Sequence, residues 1–249
     1  LNKIDIPSSV TSIGNEAFFL CWSLASIVIP KSVTSIGKSA FCYCKFTEIT
    51  IPSSITSIEE SAFSFCYDLT TVIIPSSVTS IKNNALYNCE SITEITIPSS
   101  VTSIGHAILS NCCNLESLIV DSNNPVYVSL DGVLFTKDLQ TIIIYPSKKE
   151  DSAYTIPSSV KFIGDEAFSK CKSLNQIIIP SSVTSIGSMA FFRCESLQQV
   201  VIPSSVTSIG SKAFSRCNSL QDVTIPSSVT SIGHSVFYKC KNLKSIVVD

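Results

Sequence analysis

A phrase of 23 residues is written nine times into this chain, and a fixed period in the twenties admits few folds. The phrase reads Pro-Ser-Ser-Val-Thr-Ser-Ile-Gly-x-x-Ala-Phe-x-x-Cys-x-Ser-Leu-x-x-Ile-x-Ile, with prolines at Pro7, Pro30, Pro52, Pro75, Pro98, Pro157, Pro180, Pro203 and Pro226. All intervals between them are 22 or 23 residues except one of 59. Such periodicity predicts a solenoid in which each phrase forms one coil and each coil stacks on the next. A lone coil cannot bury its flat faces, so stability must come from the stacking itself.

Bulk composition narrows the function classes. Of 249 residues, 45% are apolar and only 14% charged, which excludes disorder. No apolar run approaches the roughly 18–20 residues of a membrane helix. A net charge of −2 argues against a nucleic-acid partner. The charge is unevenly placed: residues 1–120 carry 5 basic and 9 acidic groups, residues 121–249 carry 12 and 10. Leu1 and Val248 occupy the Leu and last apolar positions of the phrase, so both ends are in phase with it. Flanking chain is expected, and the lack of a leader carries no message about secretion.

Each segment of the phrase has its own local signal. Leu174–Ile179 shows the alternation of a short strand, and the proline after it cannot donate a ladder hydrogen bond, so it ends the strand. Ser-Ser-Val-Thr-Ser-Ile then forms an extended side with Val183 and Ile186 inward. In Gly-x-x-Ala-Phe-x-x-Cys, Phe191 and Cys194 are three apart, which predicts a one-turn helix on the outer wall. Glu59 and Lys82 replace the Gly in two repeats, so that position favours a left-handed or tight conformation without requiring Gly. The second repeat is one residue short around Cys44-Lys45-Phe46, with Phe46 in the Leu slot, and the ladder is expected to run through it.

Leu-x-x-Ile-x-Ile-Pro-x-Ser-Val-x-x-Ile-Gly-x-x-Ala-Phe-x-x-Cys resembles the BspA-type leucine-rich repeat of surface proteins from oral anaerobes, treponemes, Trichomonas and Entamoeba. The resemblance covers about 210 of the 249 residues. It implies an α/β, right-handed leucine-rich-repeat solenoid, mostly β by content, with a parallel concave sheet and one-turn helices on the convex side. It also implies adhesion at a cell surface or after secretion. It carries no catalytic motif and no cofactor. Division into N-terminal repeats (1–120), an insertion (121–156) and C-terminal repeats (157–249) follows from the spacing.

Within the insertion, Val126–Ser129 and Val133–Thr136 flank Asp131-Gly132, a strong two-residue hairpin signal. A projecting hairpin is expected, then one irregular coil closed by residues 147–152; it serves either as a contact arm or as a joint between two stacks.

Eleven cysteines invite a disulfide or metal reading. Nine of them (Cys21, Cys44, Cys66, Cys89, Cys112, Cys171, Cys194, Cys217 and Cys240) lie 14 residues after a repeat proline, which predicts an inward column of buried thiols. Zinc-finger spacings are missing. Cys42 and Cys113 fall on the variable outer wall, and Cys113 is a candidate free thiol. His106 and His234 share one slot about six coils apart, which speaks against a joint acid–base or metal site.

Specificity can live where repeats differ. On the concave strand the outward residues include Thr50, Ile73, Thr96, Ile119, Ile178, Val201 and Thr224, either a flat protein-binding face or plain strand propensity. On the convex wall, the slot two after the repeat Phe holds Lys170, Arg193, Arg216 and Lys239, with Lys172 and Lys241 nearby. This basic stripe suits an acidic polysaccharide or acidic protein, or merely covers the wall. The first half instead offers Phe19, Trp22, Tyr43, Phe65, Tyr67 and Tyr87, an aromatic patch for a partner or another copy. The expectation is a non-enzymatic adhesion module for host matrix or cell-surface proteins or acidic glycans; the alternative is a self-associating scaffold.

Overall fold

Equivalent residues of successive repeats lie opposite one another, in parallel register, as the period requires. The computed structural model describes residues 2–249, so the expectation placed on Leu1 lies outside the described residues. The chain divides into two compact units, one ending at Ser129 and the other beginning at Leu130.

In the first unit each coil contributes two strands. Ile4 of strand Lys3–Asp5 pairs with Ile27 of Ser26–Val28, and Ile13 of Ser12–Ile13 with Ile36 of Ser35–Ile36. One coil shows the inward set in full: Val33, Ile36, Ala40, Phe41, Cys44, Phe46, Ile49 and Ile51 are all buried. Phe46 does fill the Leu slot. The ladder does not run through it, however. Strands Ser26–Val28 and Glu48–Thr50 belong to separate sheets, as do Thr71–Ile73 and Glu94–Ile97. The missing residue coincides with the first break; nothing in the sequence explains the second.

The second unit keeps its main row continuous through Ala153–Thr155, Gln176–Ile178, Gln199–Val200, Asp222–Ile225 and Ser245–Val248. The companion row starts at Thr141–Ile144 and runs through Phe162–Ile163, Ser185–Ile186, Ser208–Ile209 and Ser231–Ile232. Around the interruption, Asp131 (φ 49°) and Gly132 (φ 76°) adopt the two left-handed conformations of a type I′ turn. The expected projection is absent. Val133, Leu134 and Phe135 are fully buried, and their strand pairs antiparallel with Thr141–Ile144. Three consecutive apolar residues need cover on both faces, which a free arm cannot supply.

The polar residues of the phrase tie coils together. The Ser two residues after the repeat proline donates its hydroxyl to the Val or Ile carbonyl one coil earlier, as Ser32 to Val10, Ser77 to Ile55 and Ser205 to Val183. The Thr donates to the same position's carbonyl one coil earlier, as Thr79 to Thr56. Asn124, buried in the insertion, takes over the Ser role: its amide donates to Pro98 and Val101 while its oxygen accepts from Val126 and Tyr127.

No helix forms among the described residues, so the expected one-turn helices on the convex side are corrected to stacked turns and the fold to a β-solenoid. The amides explain why. Ala40, Cys42 and Cys44 donate within their own coil to Gly37, Ser39 and Phe41, whereas Ser39, Phe41 and Tyr43 donate to Glu60, Ala62 and Ser64 of the next. A helix would need both sets for itself. Alternation is made possible by two left-handed residues per coil, for example Ser39 (φ 52°) and Tyr43 (φ 64°). The repeat glycines are not among them; only Gly132 has positive φ. Where a coil precedes them they are needed for closeness, since a Cβ on Gly37 would stand 2.5 Å from the backbone nitrogen of Asn15 in the coil before, whereas one on Gly14 would meet nothing within 4 Å.

Candidate functional site

Three rows of side chains face outward, each repeated once per coil. Along the strands, Thr50, Ile73, Thr96 and Ile119 in the first unit and Ile178, Val201 and Thr224 in the second are exposed, Val201 at 78%. The pleat forces this, because their neighbours Ile49, Ile95, Leu118, Ile177, Val200 and Val223 point inward. Both ladder breaks open hollows on this wall. One of about 620 Å³ is lined by Val28, Lys31, Glu48, Thr50 and Ile73, and one of about 460 Å³ by Ile73, Glu94 and Thr96.

On the turn wall of the first unit, all six expected aromatic residues come together. Tyr43 stacks on Phe65 with ring centres 4.4 Å apart, and Trp22 stacks on Tyr43 at 5.3 Å. Phe19 meets Tyr43 edge-on at 6.0 Å, Tyr67 touches both Tyr43 and Phe65, and Tyr87 meets Phe65 at 5.3 Å. The rings largely spend their faces on one another. Trp22, 59% exposed, keeps the most surface.

The second unit places Lys170, Arg193, Arg216 and Lys239 in the same slot with φ of 62°, 58°, 62° and 57°. Near-identical backbone conformations set their Cβ atoms in one direction. Arg193 rests over the Phe192 ring at 5.7 Å and Lys239 over Tyr238 at 5.2 Å, contacts the sequence reading missed. Lys172 and Lys241 are exposed in the slot two residues on. The left-handed geometry of the slot was also missed, although Asn88 and Asn111 signalled it, since Asn is the side chain most at ease there.

The thiol column is present and unbonded. No disulfide joins any of the eleven cysteines; Cys21 and Cys240, at the ends of the column, are half-buried rather than buried as expected, and Cys44, Cys66, Cys89, Cys112, Cys171, Cys194 and Cys217 are buried. Each donates its S–H to a backbone carbonyl in the coil before, Cys66 to Phe41 at 3.2 Å and Cys194 to Phe168 at 3.0 Å. Cys is therefore a small apolar residue carrying one useful donor. Desolvation pushes the thiols of Cys66, Cys89, Cys194 and Cys217 well above their ordinary range, and that of Cys44 to about 12. Cys42 is not on the outer surface: it is 4% exposed, with its thiol raised to about 11 by burial and by Glu16. The slot after the repeat Phe also turns small residues inward at Ser64, Ser169 and Ser215. Cys113 is half-buried.

His106 and His234 are exposed on the turn wall. Among the described residues no group of three or more His, Cys, Asp or Glu side chains is placed to hold a metal ion, and no helix is long and apolar enough to cross a membrane.

Comparison with solved structures finds the same architecture. A leucine-rich cell surface protein of Faecalibacterium prausnitzii shares 31% identity and a TM-score of 0.78, aligned over 100% of this chain and 79% of its own. A leucine-rich repeat protein of Eubacterium ventriosum shares 31% at a TM-score of 0.85, over 100% and 66%. The pneumococcal vaccine antigen PcpA shares 26% at 0.82, over 99% and 68%. This chain thus spans about two thirds to four fifths of those proteins. No curated protein matches the sequence significantly. The model of the BspA-type leucine-rich repeat region matches residues 1–126 and 130–249 in six copies, and the chain belongs to that family.

Proposed function

We propose that this chain is a non-enzymatic binding module, held at a cell surface or secreted, that recognises partner proteins of a host matrix or cell surface, or acidic glycans, through its outward rows. One observation carries the reading: the strand wall exposes a β-branched or apolar residue in coil after coil, from Thr50 to Thr224, above a rigid hydrogen-bonded interior. Preformed, weakly charged surface of this kind meets a partner with little ordering cost. The hollows beside Ile73 add places where a partner side chain can seat. The matching family is a repeat region and names no catalysis.

Surface localisation draws support from the relatives, two of which are named as a cell surface protein and a vaccine antigen. Abundant free thiols usually speak against an oxidising exterior. Burial and raised pKa make most of them poor nucleophiles, which removes that objection.

The second reading, a self-associating scaffold, rests on the exposed aromatic surface at Trp22, Phe19 and Tyr67. A direct test immobilises purified matrix proteins and measures binding of the wild type and of an Ile73→Lys/Ile178→Lys/Val201→Lys variant. Because these side chains are exposed, the variant is expected to fold and to bind at least tenfold more weakly. Unchanged binding rejects the strand wall as the recognition face. Light scattering that grows with concentration, abolished by Trp22→Ser, would favour the scaffold.

A further inference from the structure

Several lysines of this chain hold carboxylates. Lys3 holds Asp5, Lys38 holds Glu60, and Lys149 holds both Asp131 and Asp151. Arg193, Arg216 and Lys239 form no ion pair among the described residues, and the Nε of Arg193 is buried without any partner. These residues also occupy left-handed backbone, where a long side chain is strained and Asn or Gly is easier. In the first unit Asn88 and Asn111 take that easier choice in the same slot. Like charges repeated every ~4.8 Å add mutual repulsion. Strain and repulsion burden these positions, and no ion pair to Arg193, Arg216 or Lys239 among the described residues offsets them, whereas the geometry of the row gives it a functional reason.

We infer that Lys170, Arg193, Arg216 and Lys239 form a binding row for a linear sulfated or carboxylated glycan lying along the stacking direction, one anionic group to each coil. The inference rests on the binding-module reading above and names the ligand class of its turn wall. A straight row of evenly spaced charges matches an extended polyelectrolyte better than the irregular surface of a folded protein. Phe192 and Tyr238 support two of the cations from beneath without neutralising them. Lys172 and Lys241 flank the row; in the same neighbouring slot Glu195 is the one carboxylate, so the strongest attraction is expected toward the two ends. Four coils span roughly 14 Å, which sets the shortest ligand that can reach every charge.

The test measures fluorescence anisotropy of heparin-derived oligosaccharides of increasing length on the full chain, at two salt concentrations. Affinity is expected to climb until the oligosaccharide spans the row and then to level off. An Arg193→Asn/Arg216→Asn variant is expected to bind at least tenfold more weakly and to lose about half of the salt dependence. Asn suits the slot, so this variant keeps its fold, which circular dichroism and the melting temperature verify. Lys148→Asn/Lys161→Asn removes two exposed charges off the row and is expected to bind like the wild type. Equal affinity of the Arg193/Arg216 variant, no dependence on ligand length, or preference for poly-glutamate over heparin would each overturn the inference. If heparin is ignored while matrix proteins still bind, the inference fails and the binding-module reading survives; if neither binds, both fail.

Discussion

The turn walls of the two units use one backbone and opposite chemistry. In the slot two after the repeat Phe, Tyr43 and Phe65 have φ of 64° and 59°, and Lys170 and Arg216 both have 62°. Parallel register brings each side chain against its own counterpart, so the wall repeats whatever that side chain does to itself. Rings at this spacing attract, as the 4.4 Å stack of Tyr43 on Phe65 shows. Ammonium and guanidinium groups repel. The aromatic wall therefore adds to the stability of its unit, and the basic wall subtracts from its own. A solenoid makes such differences legible, because the interior beneath is the same: Phe18, Phe41 and Phe63 stack at 5.2 and 5.5 Å in one unit, Phe168, Phe191 and Phe214 at 5.1 Å in the other.

If the interiors are equivalent, alkali must attack both units. Thiols of Cys66 and Cys89 in the first, and of Cys194 and Cys217 in the second, are raised by desolvation well above 9.0. A thiol raised on folding stays protonated after the unfolded chain has ionised. Its stabilising contribution is complete below the unfolded pKa near 9 and disappears as pH climbs through the native value. With at least two such groups per unit, stability is expected to fall steeply from pH 9 upward in both, the largest effect foreseen. Urea midpoints at pH 8, 9, 10 and 11, resolved by unit through hydrogen exchange, check it. A unit whose midpoint stays flat would break the equivalence.

Removing a ring from the shared stack comes next. Phe63→Ala and Phe191→Ala each delete a fully buried side chain stacked against neighbouring rings, and each is expected to cost about 3–5 kcal/mol. Values differing by more than a factor of two would mean that the interiors relax differently, and that the continuous strand row of the second unit and the interrupted rows of the first matter more than the core.

Much of this was legible in the residues alone, for identifiable reasons. The period specified stacking, the alternation in Leu-x-x-Ile-x-Ile specified the inward set, and the 14-residue offset of the cysteines specified their column. The turn wall was misread because Phe and Cys three apart satisfy a helical turn and a hydrogen-bonded turn alike; only Asn84, Asn88 and Asn111 distinguished the two. Cys42 was misplaced because the slot after the repeat Phe holds exposed large side chains such as Phe19 and Tyr238 but buries small ones such as Ser64, a difference of size rather than of position in the phrase. The break between Thr71–Ile73 and Glu94–Ile97 left no trace in sequence, because a ladder hydrogen bond is lost by shifts far smaller than a residue. Aligning repeats was enough to collect the aromatic and basic rows. That the rings stack face to face and that Arg193 lies on Phe192 required coordinates.

One substitution made in both walls should change sign. Tyr43→Asn removes a ring that touches Trp22, Phe19, Phe65 and Tyr67, at an expected cost of about 1–3 kcal/mol even after the easier left-handed backbone is credited. Arg216→Asn loses no ring contact and no ion pair, relieves the same backbone and removes one repelling charge; it is expected to gain up to about 1 kcal/mol. Thermal unfolding of the two variants decides. Destabilisation of both by similar amounts would erase the contrast between the walls.

The smallest effect tests the backbone that both walls share. Lys212 is exposed, makes no ion pair among the described residues, and sits at φ 57° two residues after Gly210. Within a helix, Lys212→Gly would cost about 1 kcal/mol, because Gly loses more chain entropy on folding than any other residue. In left-handed backbone the side chain is the burden. Removing its Cβ recovers about 1 kcal/mol of strain, against the extra freedom Gly brings to the unfolded chain. The net expectation is a gain of a few tenths of a kcal/mol, read as a slightly higher urea midpoint at unchanged slope. The magnitude is modest, but the sign is opposite to what the helical reading of Gly-x-x-Ala-Phe-x-x-Cys demands. A loss near 1 kcal/mol would restore the helix and, with it, remove the left-handed turn backbone to which the slot compared in the two walls also belongs.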